Sequence, residues 1–433
     1  MLKIYFASFL LLILSINGLL CQVKIDFVFD GDASPNTYRS SQNPYYWKNN
    51  MPYQGYWQQD SHYSIEASLD TIAQQIKGKV LVTYWNNSSD TLQHLFLSNN
   101  PNKNESYTIN KCTSIKRNQK SNIPIEHIDK NTKLQTKVNP NDFALIEVEY
   151  LSPVSKNNDV YFFNNICPRM IPYSYNNGWE INYENLSNVN FPYATFDVSL
   201  LTPLKLKLVG NENKVIFPDI ITKGIIRYSK WSIHMENKKN HSFILSKTAS
   251  SKKEKRKNIK VKHLKANFKT KDIKFKDDLN KCTKLLTKQF GITPASTFIL
   301  NNDQMNRLSK KDFIYKIYHE YLSNVYTISK KDEFSLLHNL CVYLTNITLS
   351  EQNTTPLLSV NKINIFGLKT NLQASKNLQN INIFTELELK IGREKTLILI
   401  SDFYKKWRFA RPNLYEFESY LNRNYSGVNI MEN

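Results

Sequence analysis

Residues Phe313 to Thr345 read FIYKIYHEYLSNVYTISKKDEFSLLHNLCVYLT, and this stretch decides how the rest of the chain is interpreted. In its first half, apolar and aromatic side chains recur at helical spacing, at Phe313, Ile314, Ile317, Tyr318, Tyr321, Leu322 and Val325. A second apolar run, from Phe334 to Leu344, follows this one after a polar segment. The pattern therefore predicts two helices that pack against each other through these faces.

The first predicted helix carries the dipeptide His319-Glu320 at its centre. In a His-Glu-x-x-His motif, two histidines one turn apart bind one zinc ion, and the glutamate activates the metal-bound water. Here the position of the second histidine is Ser323. The pair therefore has two interpretations, a working acid–base site or a helix whose His and Glu have only structural roles.

Upstream of these helices the sequence has the pattern of a β domain. Residues His62 to Asp70 alternate apolar and polar side chains, as a half-buried strand does. A second strand is predicted from Ile76 towards Asp90, and further short strands follow, separated by Asn, Pro and Gly turns. We therefore expect an antiparallel β-sandwich over residues 61–239. The polar and aromatic residues 22–60 are predicted to form an extended arm on this first domain.

Downstream of residue 240 the pattern is mainly helical. Asp277 to Gly291 reads as an amphipathic helix with a glycine stop, and Thr297 to Leu300 as a short buried strand. Two more helices are predicted on either side of Pro412, whereas residues 346–398 are ambiguous. The predicted fold class is therefore α+β, with a helical domain over residues 240–433.

The first 21 residues contain Lys3 and an apolar run from Phe9 to Ile16, which is typical of a signal peptide. Cleavage near Cys21 would give an exported protein in the periplasm, at the cell surface or in the medium. No other segment is apolar enough to cross a bilayer, so no transmembrane segment is expected after cleavage. The remaining cysteines, which lack C-x-x-C spacing and are interpreted as scattered buried thiols, are Cys112, Cys167, Cys282 and Cys341.

The formal net charge is +20, and the densest basic run extends from Lys252 to Lys276. Such a run can bind acidic polymers, but it lacks the interleaved aromatic residues that stack on bases. We therefore expect a solvated surface and no nucleic acid as a partner.

Four segments, in order, resemble exported zinc metallopeptidases of the aminopeptidase N family. Tyr56 to Leu97 resembles the opening strands of that family, including the Lys-Gly at the start of the second strand. Cys167 to Pro203 is similar to its Gly-Trp and Phe-Asp-Val region, and Trp231 to Ser250 to the passage into its catalytic domain. Phe403 to Ile430 resembles a late helical part of that domain. The resemblance implies an N-terminal β-sandwich followed by a reduced thermolysin-like domain.

The resemblance also assigns roles to individual residues, and several of the expected residues are replaced. His319 matches the first metal ligand and Glu320 the general base, whereas Ser323 replaces the second ligand. The third ligand is expected near Val342, where the sequence has no carboxylate. In the loop that holds the amino group of the substrate, the expected substrate-binding residues are Met305, which is kept, and Asn306, which replaces a glutamate.

Three hypotheses follow. The leading one is an exported, catalytically inactive homologue of these peptidases that acts as a binding or scaffold protein for a peptide or protein ligand, with no cofactor. The second is a divergent zinc aminopeptidase with a rearranged metal site made of His319, His338 and Glu333. The third is a basic surface protein that binds polyanions through residues 252–276.

Overall fold

A computed structural model describes most of the chain. The described residues are 29–30, 39–41, 43, 46–99, 106–157, 160–175, 177–181, 191–210, 214–239, 242–246, 250–253, 262–265, 276–293, 309–323, 325–326, 336–350 and 382–424. The predicted signal peptide and the predicted strand at Thr297 to Leu300 lie outside these residues.

The strands lie in the first part of the chain, except for one short strand that follows the first helix. In chain order they are β1 (Phe29–Asp30), β2 (Asp60–Asp70), β3 (Gln75–Trp85), β4 (Leu95–Ser98), β5 (Thr108–Lys116), β6 (Gln119–Asn122), β7 (Ile125–Ile128), β8 (Asn131–Leu134), β9 (Phe143–Pro153), β10 (Ser155–Asn157), β11 (Val160–Asn164), β12 (Arg169–Met170), β13 (Tyr173–Ser174), β14 (Gly178–Trp179), β15 (Ala194–Pro203), β16 (Lys207–Gly210), β17 (Lys214–Lys223), β18 (Ile226–Lys238), β19 (Ser242–Ser246), β20 (Ser250–Lys253), β21 (Lys262–Lys265) and β22 (Ile292–Thr293). A one-turn 3₁₀ helix covers Trp47–Asn50.

The largest sheet has eight strands in the order β17-β18-β15-β2-β3-β9-β5-β6. The expectation of a purely antiparallel arrangement is wrong at one position, because β15 pairs with β2 in parallel. These two strands are far apart in the chain, so no tight hairpin imposes an antiparallel pairing on them. The alternation predicted for residues 62–70 is present, since Tyr63 and Ile65 are buried and Ser64 and Glu66 are exposed.

Two four-stranded sheets, β12-β4-β8-β7 and β10-β11-β19-β16, share one hydrophobic core with the large sheet. The core includes Tyr63 and Phe196 from the large sheet, Leu97 from β4, and Phe163 and Phe243 from β11 and β19. Burial of these aromatic and aliphatic side chains is the main stabilising contribution to the β domain. The predicted boundary at residue 239 falls between β18 and β19, and β19 still belongs to this domain.

The C-terminal part of the chain is helical, which confirms the α+β class. Its helices are α1 (Lys276–Phe290), α2 (Lys310–Ser323), α3 (Leu336–Ser350), α4 (Ile383–Ile391), α5 (Arg393–Lys406) and α6 (Leu414–Asn424). Helix α1 ends before Gly291, whose φ of 57° is the left-handed conformation that favours glycine at a helix end. Asn382 caps α4, because its side chain accepts hydrogen bonds from the N–H groups of Phe384 and Thr385.

The arm residues contact the helices as well as the β domain. Tyr46, Trp47 and Tyr56 are buried in the same cluster as the apolar faces of the helices, and β1 pairs in parallel with β22. The sequence suggested instead that this segment lies on the β domain. Trp407 of the helical part packs against Tyr56 of the arm, with ring centroids 5.6 Å apart. The aromatic side chains of the arm therefore lie at the junction between the β domain and the helices.

Within the described ranges, no helix is long and apolar enough to span a membrane. The four cysteines Cys112, Cys167, Cys282 and Cys341 are buried free thiols.

Candidate functional site

His319 lies on α2, which packs against α3. The two helices bury the apolar faces that the sequence predicts, including Ile317 and Tyr321 of α2 and Leu340 and Leu344 of α3. A hydrogen bond of 2.6 Å joins the hydroxyls of Tyr318 and Thr348 across the helix pair. The helix pair therefore places the imidazole of His319 beside a rigid apolar core.

The surroundings of His319 are unfavourable for positive charge. Its imidazole is half-buried and stacks on the ring of Tyr315, with centroids 6.0 Å apart and an interplanar angle of 27°. Burial, followed by the charges of Lys239 and His338, lowers the pKa of His319 to about 4. The ring is therefore neutral at pH 7.

Tyr315 connects the two histidines that the sequence singled out. Its hydroxyl lies 2.9 Å from Nδ1 of His338, and the two ring centroids are 5.5 Å apart. His319 and His338 thus contact the same tyrosine. Glu333, the third group of the rearranged site, lies outside the described residues.

The positions expected to supply the second and third metal ligands carry residues that do not bind zinc. Ser323 stands one turn after His319, and Val342 is half-buried on α3 between the buried Cys341 and Tyr343. No set of three His, Cys, Asp or Glu side chains in the described part of the chain could hold a metal ion. Glu320 belongs to α2, but its side chain is not among the described atoms, and Met305 and Asn306 lie outside the described residues.

A buried cation from the β domain approaches α2, which the sequence did not predict. Nζ of Lys239 donates a hydrogen bond of 2.9 Å to the carbonyl of Tyr326, just beyond the end of α2. The backbone carbonyl of Lys239 in turn accepts a 2.6 Å hydrogen bond from Arg169, which is only 1% exposed. The Arg169 guanidinium lies over the rings of Tyr63, Phe191 and Phe196 at 4.6–4.9 Å.

A cavity of about 630 Å³ opens elsewhere at the junction, between the arm, the β13–β14 hairpin and helices α5 and α6. Its lining is rich in aromatic side chains. Tyr175 and Tyr415 are 85% and 73% exposed, and Trp57 stacks on Tyr173 with centroids 6.0 Å apart. The aromatic lining residues are Tyr53, Tyr56, Trp57, Tyr173, Tyr175, Trp407, Tyr415 and Tyr420.

A buried ion pair forms part of the cavity wall. Nη2 of Arg411 donates a 3.0 Å hydrogen bond to Glu180, and both side chains are buried. Beside it, the N–H of Arg411 donates to the Tyr56 hydroxyl at 2.8 Å, and the Gln58 side chain donates to the carbonyl of Phe409 at 2.9 Å. The sequence analysis missed this cavity, although the aromatic segments at 52–59 and 411–420 are visible in the sequence.

The fold is similar to that of solved M1 zinc metallopeptidases, the aminopeptidase N family. One is the M1 zinc metallopeptidase from Deinococcus radiodurans, with a TM-score of 0.52, 9% identity, and coverage of 84% of this chain and 90% of that one. A Glu-to-Ala variant of it bound to a Tyr-Ser-Ala substrate gives a TM-score of 0.54 at 9% identity, covering 84% and 91%. A two-domain M1 zinc metallopeptidase variant bound to L-tryptophan gives 0.52 at 10% identity, covering 85% and 92%.

These similarities confirm a peptidase-like fold, as the family resemblance implied. No family model and no curated protein matches the sequence.

Proposed function

We propose that the chain is an exported, catalytically inactive protein of the M1 peptidase-like fold that binds a peptide ligand. In this proposal the helices from Lys276 onwards form a reduced thermolysin-like domain. The single observation that supports the absence of catalysis is the environment of His319, the residue that matches the first zinc ligand of the family.

Among the described residues, the donor set around His319 does not fit a zinc ion. Structural and catalytic zinc sites use three or four His, Cys or carboxylate ligands. His319 instead has a serine one turn away, an aromatic ring on one face and the cation of Lys239 nearby. A nearby ammonium group repels a divalent cation, and one imidazole alone binds zinc weakly. The proposed function therefore includes no catalytic step through a metal.

The proposal is tested by metal analysis of protein purified without added zinc and without a His tag. We expect substoichiometric zinc, the same metal content in a His319→Ala variant, and no metal-dependent hydrolysis of aminoacyl or peptide substrates. One tightly held zinc per chain that is lost in the His319→Ala variant would overturn it. Metal-dependent cleavage that the variant lacks would do the same.

The binding part of the proposal rests on the aromatic cavity. Its volume of about 630 Å³ suits a small ligand, since such sites typically measure about 300–1,000 Å³. Tyrosines provide large rigid contact areas with little loss of side-chain entropy, and aromatic-lined grooves bind extended peptides. The exposed side-chain amide of Asn177 in the lining can bind the peptide backbone.

Calorimetric titration with short peptides, Tyr-Ser-Ala and a proline-rich pentapeptide, tests this part. Replacing both Tyr175 and Tyr415 by alanine should weaken binding at least about tenfold, because tyrosine is enriched among the few contact residues whose truncation costs about 2 kcal/mol or more. Phe143→Ala is the matched control, since Phe143 is also exposed but does not line the cavity. Equal affinity of the double variant and the control would exclude the cavity as the site.

The rearranged zinc site stays the alternative, favoured by the contacts of Tyr315 with both His319 and His338. It requires that a His338→Ala variant lose bound metal.

The polyanion hypothesis stays a prediction, since most of residues 252–276 lie outside the described residues. It requires heparin retention that falls steeply with salt and disappears when the lysines of this run are neutralised.

A further inference from the structure

One end of the large sheet presents three loops with exposed aliphatic tips. The parallel pairing of β2 and β15 brings the C-terminal ends of both strands, Asp70 and Pro203, to the same end of the sheet. Antiparallel pairing of Pro203 with Tyr228 places the β17–β18 turn there as well. The loops that follow β2, β15 and β17 therefore lie side by side.

The residues at these tips are aliphatic and exposed to different degrees. Ile72, after β2, is 94% exposed, and Ile225, in the β17–β18 turn, is 98% exposed. Leu204, after β15, is 39% exposed, and Ile226 is 54% exposed. Single exposed aliphatic residues are ordinary on a protein surface, but here four of them lie on three neighbouring turns at one end of the sheet. This grouping makes that end a candidate interaction surface.

The backbone of these turns is well defined. In the first loop, the carboxylate of Asp70 accepts hydrogen bonds of 2.8 and 2.9 Å from the N–H groups of Ile72 and Ala73. In the β17–β18 hairpin, Lys223 pairs with Ile226, and Gly224 adopts a φ of 60° at the first position of the two-residue turn. The tips are therefore held outwards by regular turn geometry.

Basic side chains surround the tips. Lys77, Lys205, Lys223 and Arg227 are exposed on the loops and strand ends at this end of the sheet. Asp70 is the acidic residue nearest the tips, and its carboxylate is bonded to its own loop, whereas Glu66, Glu149 and Asp219 lie further along their strands. The surface is therefore basic around a set of separate aliphatic points.

We propose that this end of the β domain docks on the surface of a lipid bilayer that contains anionic lipids. The isoleucines would enter the region below the headgroups, and the lysines and arginine would meet the lipid phosphates. A protein partner is less well matched, because protein-binding surfaces favour aromatic residues and a continuous, fully buried centre. The four tip residues are aliphatic and stand on three separate loops.

The test is co-sedimentation of the full chain with vesicles of phosphatidylglycerol and phosphatidylethanolamine, compared with vesicles of phosphatidylcholine alone. We expect binding to the anionic vesicles that falls with salt. Replacing both Ile72 and Ile225 by serine should weaken it at least about tenfold, given the transfer free energy of two large aliphatic side chains. Replacing Lys223 and Arg227 by glutamine should weaken it and reduce its salt dependence.

A matched control replaces Leu389 and Ile398 by serine, because these aliphatic side chains are also exposed but lie on α4 and α5. This control should bind like the wild type, and all variants should melt at the wild-type temperature. The wild type and all variants share the same N-terminus, so a difference in binding between them reports on the substituted residues. Absence of binding to both vesicle types, or equal binding by the tip variant and the control, would overturn the proposal; the first outcome would favour a protein partner.

Discussion

At the scale of single residues, the pKa of His319 makes a prediction that does not depend on activity. Burial lowers this pKa from 6.5 to about 4, so the unfolded chain binds a proton at this histidine more readily than the folded chain does. The contribution of neutral His319 to the free energy of unfolding is fully present above pH 6.5. It is lost as the pH falls from 6.5 to about 4, by up to about 3 kcal/mol.

Urea unfolding of the wild type and of a His319→Gln variant between pH 4 and pH 8 measures this effect. The variant should have a flatter dependence of the free energy of unfolding on pH below 6.5, because glutamine does not titrate. A control is His127→Gln, since His127 lies on β7 of the β domain, away from the helix pair. If both variants and the wild type lose stability in parallel, His319 is not desolvated as described.

At the scale of elements, Gly78 shows why a strand of the large sheet contains a glycine. It lies on β3 opposite Tyr150 of β9, and a Cβ atom at this position would overlap the Tyr150 ring. Gly78→Ala should therefore destabilise the protein by about 1–3 kcal/mol, as overpacking of a core does. In a Tyr150→Leu background the smaller side chain leaves room, so the same substitution should cost clearly less. Equal costs in both backgrounds, measured by urea unfolding, would contradict this reason for the glycine.

The elements themselves are largely predictable from the sequence, because their signals are local. Helical spacing from Phe313 to Val325 predicts α2, and alternation from His62 to Asp70 predicts β2. The parallel pairing of β2 with β15 was missed because pairing between distant strands has no local signal. Lys239 near His319 was missed for the same reason, since Lys239 and its hydrogen-bond partner Tyr326 are 87 positions apart.

At the scale of the whole molecule, the contacts between the β domain and the helices come from the most distant parts of the sequence. Gln58 bonds to the carbonyl of Phe409, 351 positions later, and Glu180 pairs with Arg411, 231 positions later. Sequence patterns predict the β domain and the helical part separately, but they do not predict the contacts between them. The missing information is which buried polar groups become partners, and that depends on the folded arrangement of both parts.

The Glu180–Arg411 pair gives the last prediction. Both side chains are buried, with 2% and 8% of their area exposed. Glu180→Gln would leave the Arg411 guanidinium buried without a countercharge, which typically costs about 3–5 kcal/mol. The control is Glu126→Gln, which removes an exposed ion pair with Lys133 and should change the free energy of unfolding by less than about 1 kcal/mol.

Because the Glu180–Arg411 pair joins the β domain to the segment between α5 and α6, Glu180→Gln should also speed proteolysis at the junction under native conditions. Urea unfolding and limited proteolysis measure the two effects. Similar values for both variants would mean that Arg411 finds another partner or water when Glu180 is neutralised, and that the junction is held mainly by the aromatic contacts of Tyr56 with Trp407.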